Sequence, residues 1–362
     1  MNPMSLSRKF AAVLCAIVLL SGCATQQAGN QRRYFWPPLP ERPRIEWIKA
    51  YSSQLDFPKE GFSAFLSAIA GDEEPMRFSK PLDIRSNGKG QIYVTDVGYG
   101  TVLVYDLVKK QVRVMGGDEA AQFSKPVSLA IDDDGSIYVS EIDKGMVLVF
   151  DKNEKPLRAM KLSDTVQKIG GLAIDREKKR LLVTDARGHK VSVFTLDGKH
   201  LFSFGRRGEN EGEFNFPIAI TVNHKGEIIV GDAMNARIQI FDGEGKFLRA
   251  FGSRGDGPAD FQLIKGVAVD SDDNIYVTEG KGHKLMVFSR QGDYLITIGG
   301  LYSILQTNKE APGGFVIPQG IDIDATDRIY VVDQLNQRFQ VFQYISDRFL
   351  KENPIPGVSV PQ

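Results

Sequence analysis

Histidines, evenly placed carboxylates, two cysteines and a set of loop cations are the residues here whose type and spacing bear on chemistry. His189 and His283 stand in matched settings, Arg187-Gly-His-Lys190 and Lys281-Gly-His-Lys284. Paired imidazoles are metal-ligand material, although a matched setting is also what a repeated structural role gives. His200 and His224 lie in turns or strand starts. Six carboxylates, Asp96, Glu141, Asp185, Asp232, Glu279 and Asp333, each close a short apolar run such as Ile92-Tyr-Val-Thr-Asp96. An acidic ring would suit calcium. An acid closing a strand also accepts hydrogen bonds from the amides of the next loop, and its recurrence favours that structural role. No paired carboxylates, Ser-His-Asp set or phosphate loop stands out. Gly252-Ser-Arg-Gly-Asp-Gly257 lacks the strand-to-helix context of a phosphate site. The two cysteines, Cys15 and Cys23, both precede residue 30, which excludes a disulfide framework, a Cys-based zinc site and a Cys-x-x-Cys-His haem.

The cations are skewed. Lys144, Arg187, Lys190, Arg237, Lys281, Lys284 and Arg338 fall in equivalent loops, with Asp143 alone opposing them. With His189 and His283 they form a candidate binding face for an anionic partner or ligand. The other reading is that a cation at this position bonds to a neighbouring repeat. Glu209, Glu211, Glu213, Asp256 and Asp260 in nearby connections dilute the field. The chain as a whole is neutral, with Lys plus Arg and Asp plus Glu at 45 each, and gives no global charge for nucleic acid or an anionic membrane surface.

These residues are positioned by a repeat. Nine residues after each acid stands an aromatic: Tyr105, Phe150, Phe194, Phe241, Phe288 and Phe342. Fifteen before it stands Pro81, Pro126, Pro217 or Pro318, with Gly170 and Ile264 breaking the column. Each unit reads as four short strands rich in β-branched and aromatic residues, separated by Asp/Gly/Lys turns. A period of roughly 45 residues selects a propeller among all-β folds. Stacked sheets bury both faces, which explains unalternating runs such as Leu181-Leu182-Val183. The expected fold is an all-β, six-bladed β-propeller over 78–350 with a short N-terminal helix insertion. Blades three and five are not neighbours, so His189 and His283 are not expected to share a metal.

The units resemble the NHL-repeat family. Asp232, Asn235, Arg237 and Phe241 carry the resemblance in repeat four, and Asp333, Asn336, Arg338 and Phe342 in repeat six. Repeats one and two depart from it at Val97-Gly-Tyr-Gly-Thr101 and Ile142-Asp-Lys-Gly-Met146. The resemblance implies the fold; family members include scaffolds, sensors, lyases and lactonases, so it does not imply one activity.

The N-terminus reads as an export signal. Arg8 and Lys9 precede an apolar run, Phe10 to Leu20, too short to span a bilayer. Leu20-Ser21-Gly22-Cys23 resembles the lipobox of bacterial lipoprotein precursors, which implies cleavage before Cys23 and its lipidation. Ala24, not Asp, follows, which by resemblance to enterobacterial sorting implies the outer membrane. The expected organisation is a signal peptide at 1–22, a lipidated tether and Pro-rich lead-in at 23–43, and a lead-in strand and short helix at 44–77. The propeller and a tail at 351–362 follow. Phe62, Phe65, Leu66 and Ile69 give the helix an apolar face. The 44–52 strand is expected to pair with the last blade. The 301–314 segment is a long loop of the kind that carries function. The expected function is a non-catalytic interaction scaffold in the cell envelope: a monomeric propeller, membrane-held by its lipid, binding envelope protein and no nucleic acid. The alternatives are a lactonase- or lyase-type enzyme with calcium or zinc in the axial channel, and a sensor or carrier of a small anion.

Overall fold

The computed structural model describes residues 32–57, 75–117 and 123–359. The signal segment, Cys23, most of the tether and the expected helix carrying Phe62, Phe65, Leu66 and Ile69 lie outside the described residues. Six antiparallel sheets account for the repeat. Their first strands are Pro81–Ser86, Pro126–Ile131, Ile169–Asp175, Pro217–Val222, Ile264–Val269 and Pro318–Ile323. Each first strand contacts the next, and the sixth contacts the first, so the ring closes around an axial channel. The protein is a six-bladed β-propeller.

Second strands such as Ile137–Glu141 and Ile228–Asp232 are buried throughout, because both faces of each sheet are covered. The aromatic column fills the gaps between blades. Tyr105, Phe150, Phe194, Phe241, Phe288 and Phe342 each belong to a different inter-blade cluster and are at most 2% exposed. Burying each ring contributes roughly 1.5–3 kcal/mol. The glycine after Phe204 shows how tight this packing is. Gly205 has φ 88, and a Cβ there would lie 2.4 Å from the Phe214 ring.

The sixth blade joins both chain ends. Ile45–Tyr51 pairs antiparallel with Arg338–Tyr344, Ile45 opposite Tyr344 and Tyr51 opposite Phe339. Tyr34–Trp36 adds a further strand outside it. Trp47 Nε1 donates to Gln340 Oε1 at 3.0 Å, so side chains also fasten the closure.

Three details differ from expectation. Ile169, not Gly170, stands opposite Asp185, because the connection between the first two strands of blade 3 carries one extra residue. The 301–314 segment contains a helical turn, Ile304–Thr307. The 350/351 boundary falls inside a helix, Asp347–Glu352, whose Leu350 packs with Ile345 and Ile355.

Candidate functional site

The six carboxylates are buried and fasten loops. Asp96 accepts the backbone N–H groups of Ser79 (2.7 Å) and Lys80 (2.9 Å), and Glu141 those of Ser124 and Lys125. Asp185 accepts from Gln167 and Lys168, Asp232 from Asn215, Glu279 from Leu263 and Asp333 from Val316. Each donor belongs to the connection arriving from the previous blade. These bonds therefore bring the inter-blade connections and the loops between second and third strands onto one face, the upper face. Burial raises Asp232 and Asp333 above the usual carboxylate range, against the pull of the amides and arginines around them.

His189 and His283 are not brought together. His189 Nδ1 accepts the N–H of Phe216 at 3.3 Å, and His283 Nδ1 that of Ile317 at 3.0 Å. Phe216 and Ile317 precede the prolines that open blades 4 and 6, and have φ of 56 and 57. A bulky residue in that conformation is strained, and each imidazole pins one such residue to the preceding blade. His200 bonds Ser203 and His224 bonds Asp273, both at 2.9 Å. Among the described residues no group of three or more His, Cys, Asp or Glu side chains is spaced to hold a metal.

Two candidate-face cations are structural. Arg237 donates to Asp232 (3.0 Å) and to the carbonyls of Glu209, Asn210 and Glu213 (2.7, 2.8 and 2.9 Å). Arg338, 2% exposed, donates to Asp333 (2.8 Å), Ala311 (3.1 Å) and Gly314 (2.8 Å). Long inter-blade loops wrap onto these arginines and withdraw them from solvent. Lys190 and Lys284 are half-buried at the start of third strands. Lys144, Arg187 and Lys281 are exposed at loop tips, without a side-chain hydrogen bond or ion pair among the described residues. Beside them the upper face exposes Tyr99, Phe216, Met234 and Leu335. Apolar residues two or three places after a strand-closing acid, where solvent is expected, were the sequence signal for three of these.

The channel holds what repeat-level reasoning missed. Register aligns Asp83, Ser128, Gly171, Ala219, Gly266 and Gly320 in one column, and Arg85, Ala130, Ala173, Thr221, Ala268 and Asp322 in another. Small residues predominate because first strands crowd the axis: a Cβ on Gly266 would lie 2.9 Å from the Gln319 carbonyl. Asp83, Arg85 and Asp322 break the pattern. Arg85 Nη1 donates to Asp83 Oδ1 (2.9 Å) and to the Ile321 carbonyl of blade 6 (3.2 Å). Asp83 Oδ2 accepts from Ser128 Oγ (2.6 Å) and Leu129 N (3.0 Å) of blade 2. First strands have one unpaired edge, and this network satisfies part of it.

Arg85 lies where two chambers meet. The upper, about 260 Å³, opens among Ile142, Lys168 and Phe216. The lower, about 370 Å³, is lined by the whole Arg85 column. It continues into a mouth where Asp132, Asp133, Asp270, Asp324 and Asp327 outnumber Arg176 and Arg348. Burial pushes both Asp270 and Asp322 up to about 6.

Comparison with known proteins supports the fold. A family described as "6-bladed beta-propeller" matches residues 222–310. No curated protein matches the chain at a significant level. A protein of unknown function from Bacteroides thetaiotaomicron superposes with a TM-score of 0.61 at 17% identity, over 83% of this chain and 75% of that one. Virginiamycin B lyase from Staphylococcus aureus gives 0.52 at 12% identity, over 74% and 95%. A streptogramin B lyase gives 0.53 at 14% identity, over 74% and 94%.

Proposed function

We propose that the chain is an NHL-type lipoprotein of a bacterial cell envelope, held to the outer membrane by a lipid on Cys23. Its propeller is a non-catalytic scaffold that binds an envelope protein through the upper face. One observation carries the reading. The recurrent acids, both loop histidines and two loop arginines are engaged in holding blades together, while Tyr99, Met234, Leu335 and Phe216 stand exposed on the same face as Lys144, Arg187 and Lys281. Aromatic and Met side chains beside cations suit a partner surface with an apolar centre and a carboxylate fringe. Leu20-Ser21-Gly22-Cys23 supports the anchor, and the Asp-x-x-Asn-x-Arg pattern of repeats four and six supports the repeat type.

Two experiments test this. Metabolic labelling with an alkyne fatty acid should mark the wild type and not Cys23→Ala. Affinity isolation from crosslinked membranes should recover the same protein reproducibly, and Lys144→Glu/Arg187→Glu/Lys281→Glu should lose it. Unchanged recovery by the triple variant would sink the upper-face reading.

A second reading, catalysis in the axial channel, is favoured by Asp83, Arg85 and Asp322, which break the repeat there. The likeness to the lyases adds only the fold to it. Unaltered turnover of candidate lactones or of virginiamycin B by Arg85→Met would remove it.

A further inference from the structure

We propose that the upper chamber of the axial channel, which opens beside Phe216 on the upper face, is a binding site for a small carboxylate with an apolar body; the proposal does not rest on the protein-binding reading. One register position lines this chamber in all six blades: Leu82, Val127, Gly170, Ile218, Lys265 and Gln319. Blades 1, 2 and 4 place an aliphatic side chain there and blade 3 a glycine, so the fold itself needs no charge. Adjacent blades 5 and 6 place Lys265 and Gln319 side by side instead.

Lys265 lacks a bonded partner. It is half-buried, and among the described residues its ammonium makes no hydrogen bond and no ion pair within 4.0 Å. Glu279, the acid that acts on it, is engaged by the amides of Leu263, Lys281 and Gly282. Among the described residues Asp83 is the only acid lining the chamber, and it is paired with Arg85 at 2.9 Å. Bare Gly280 gives the lysine stem its bed, since a Cβ there would lie 3.1 Å from Lys265 Cε. Desolvation accordingly pulls this ammonium below the ordinary lysine range.

A half-buried cation without a bonded partner is partly desolvated at a cost. A ligand carboxylate would supply the partner. Lys168 at the rim adds a second cation along the way in. Gln319 is held by donating to Gln334 Oε1 at 3.2 Å, which fixes a polar carboxamide in the lining of the blade next to Lys265. Leu82, Val127 and Ile218 offer apolar lining to an apolar body. The volume, about 260 Å³, falls just below the roughly 300–1,000 Å³ of drug-sized sites, so the occupant is small.

The test is titration calorimetry of the purified full chain with hexanoate, and with hexylamine as the charge-reversed control. Hexanoate should bind saturably and hexylamine should not. Lys265→Met, matched in length, should weaken hexanoate by at least about tenfold, the loss of one charge-assisted hydrogen bond. Lys265→Arg should stay within about threefold of wild type. Should Lys265→Met not fold, the wild type alone still decides: its hexanoate affinity should fall as rising pH deprotonates the lysine. Absence of saturable binding into the millimolar range, equal binding of the amine, or wild-type affinity in a folded Lys265→Met would each overturn the proposal.

Discussion

Replacing Arg338 with methionine separates a structural arginine from a binding one. The guanidinium is 2% exposed and its partner Asp333 0%. It makes three bonds, to Asp333 at 2.8 Å, Ala311 at 3.1 Å and Gly314 at 2.8 Å. Methionine fills much of the volume but leaves a buried carboxylate without its cation and two loop carbonyls without their donor. Breaking a buried pair in this way costs about 3–5 kcal/mol, a large share of a typical stability of roughly 5–15 kcal/mol. Arg237 holds the equivalent place in blade 4 at 16% exposure, and water can replace some of its bonds. Arg237→Met should cost about 1–3 kcal/mol. Lys144→Met, at an exposed loop tip, should stay within about 0.5 kcal/mol. Urea titration followed by far-UV circular dichroism reads all three as midpoint shifts at constant m. A loss below about 1 kcal/mol for Arg338→Met would refute the assignment, as would intact stability with lost partner binding.

Three further outcomes follow from the same contacts. His189→Ala and His283→Ala each remove the acceptor that pins a left-handed pre-proline residue; each should cost about 1 kcal/mol in the same titration, and the double variant should be additive because different blade pairs are involved. Asp322 is pushed by burial from 3.8 up to about 6, against the pull of Arg85. Between those values the folded chain keeps a proton the unfolded chain has released, so this group makes stability fall as pH rises from about 4 to about 6. Asp322→Asn keeps the acceptor for Ser86 N–H and should flatten that slope, with a gain above pH 6 of up to about 3 kcal/mol, reduced by screening from channel water; an unchanged pH profile of midpoints would contradict this. Trp47→Phe removes the Nε1–H donated to Gln340 across the closing strands and should cost about 1 kcal/mol in thermal unfolding, whereas no change would place the closure in the backbone pairing alone.

The repeat was legible in the sequence because its fixed offsets record the register. The strand-closing acid and the aromatic nine residues later keep their spacing in every blade, since a hairpin that slips by one residue moves the aromatic to the other face of its sheet and out of its inter-blade gap. The proline column was legible only in part. Blade 3 carries one extra residue in a turn, and a fixed offset then picks Gly170 where pairing picks Ile169. The fate of Arg237 and Arg338 could not be read from their own loops, because the segments that cover them arrive from the previous blade. The channel was legible in principle. Aligning first strands by their pairing isolates Asp83, Arg85, Lys265, Gln319 and Asp322 against small or aliphatic neighbours. What no alignment gives is that two such columns line chambers that meet at Arg85.

Face-resolved crosslinking is the most direct test of the central claim, that the upper face is where this propeller meets a protein partner. A photoreactive amino acid is placed singly at Tyr99, Met234 or Leu335 on the upper face, at Leu201 on the outer rim, and at Val108 in a turn at the opposite end of a blade. Cells making the full-length chain are irradiated. One partner band should form from the three upper-face positions and from neither of the others, and should vanish with Lys144→Glu/Arg187→Glu/Lys281→Glu. The same band from Leu201 or Val108 at equal yield, or its persistence in the charge-reversed chain, would contradict the account.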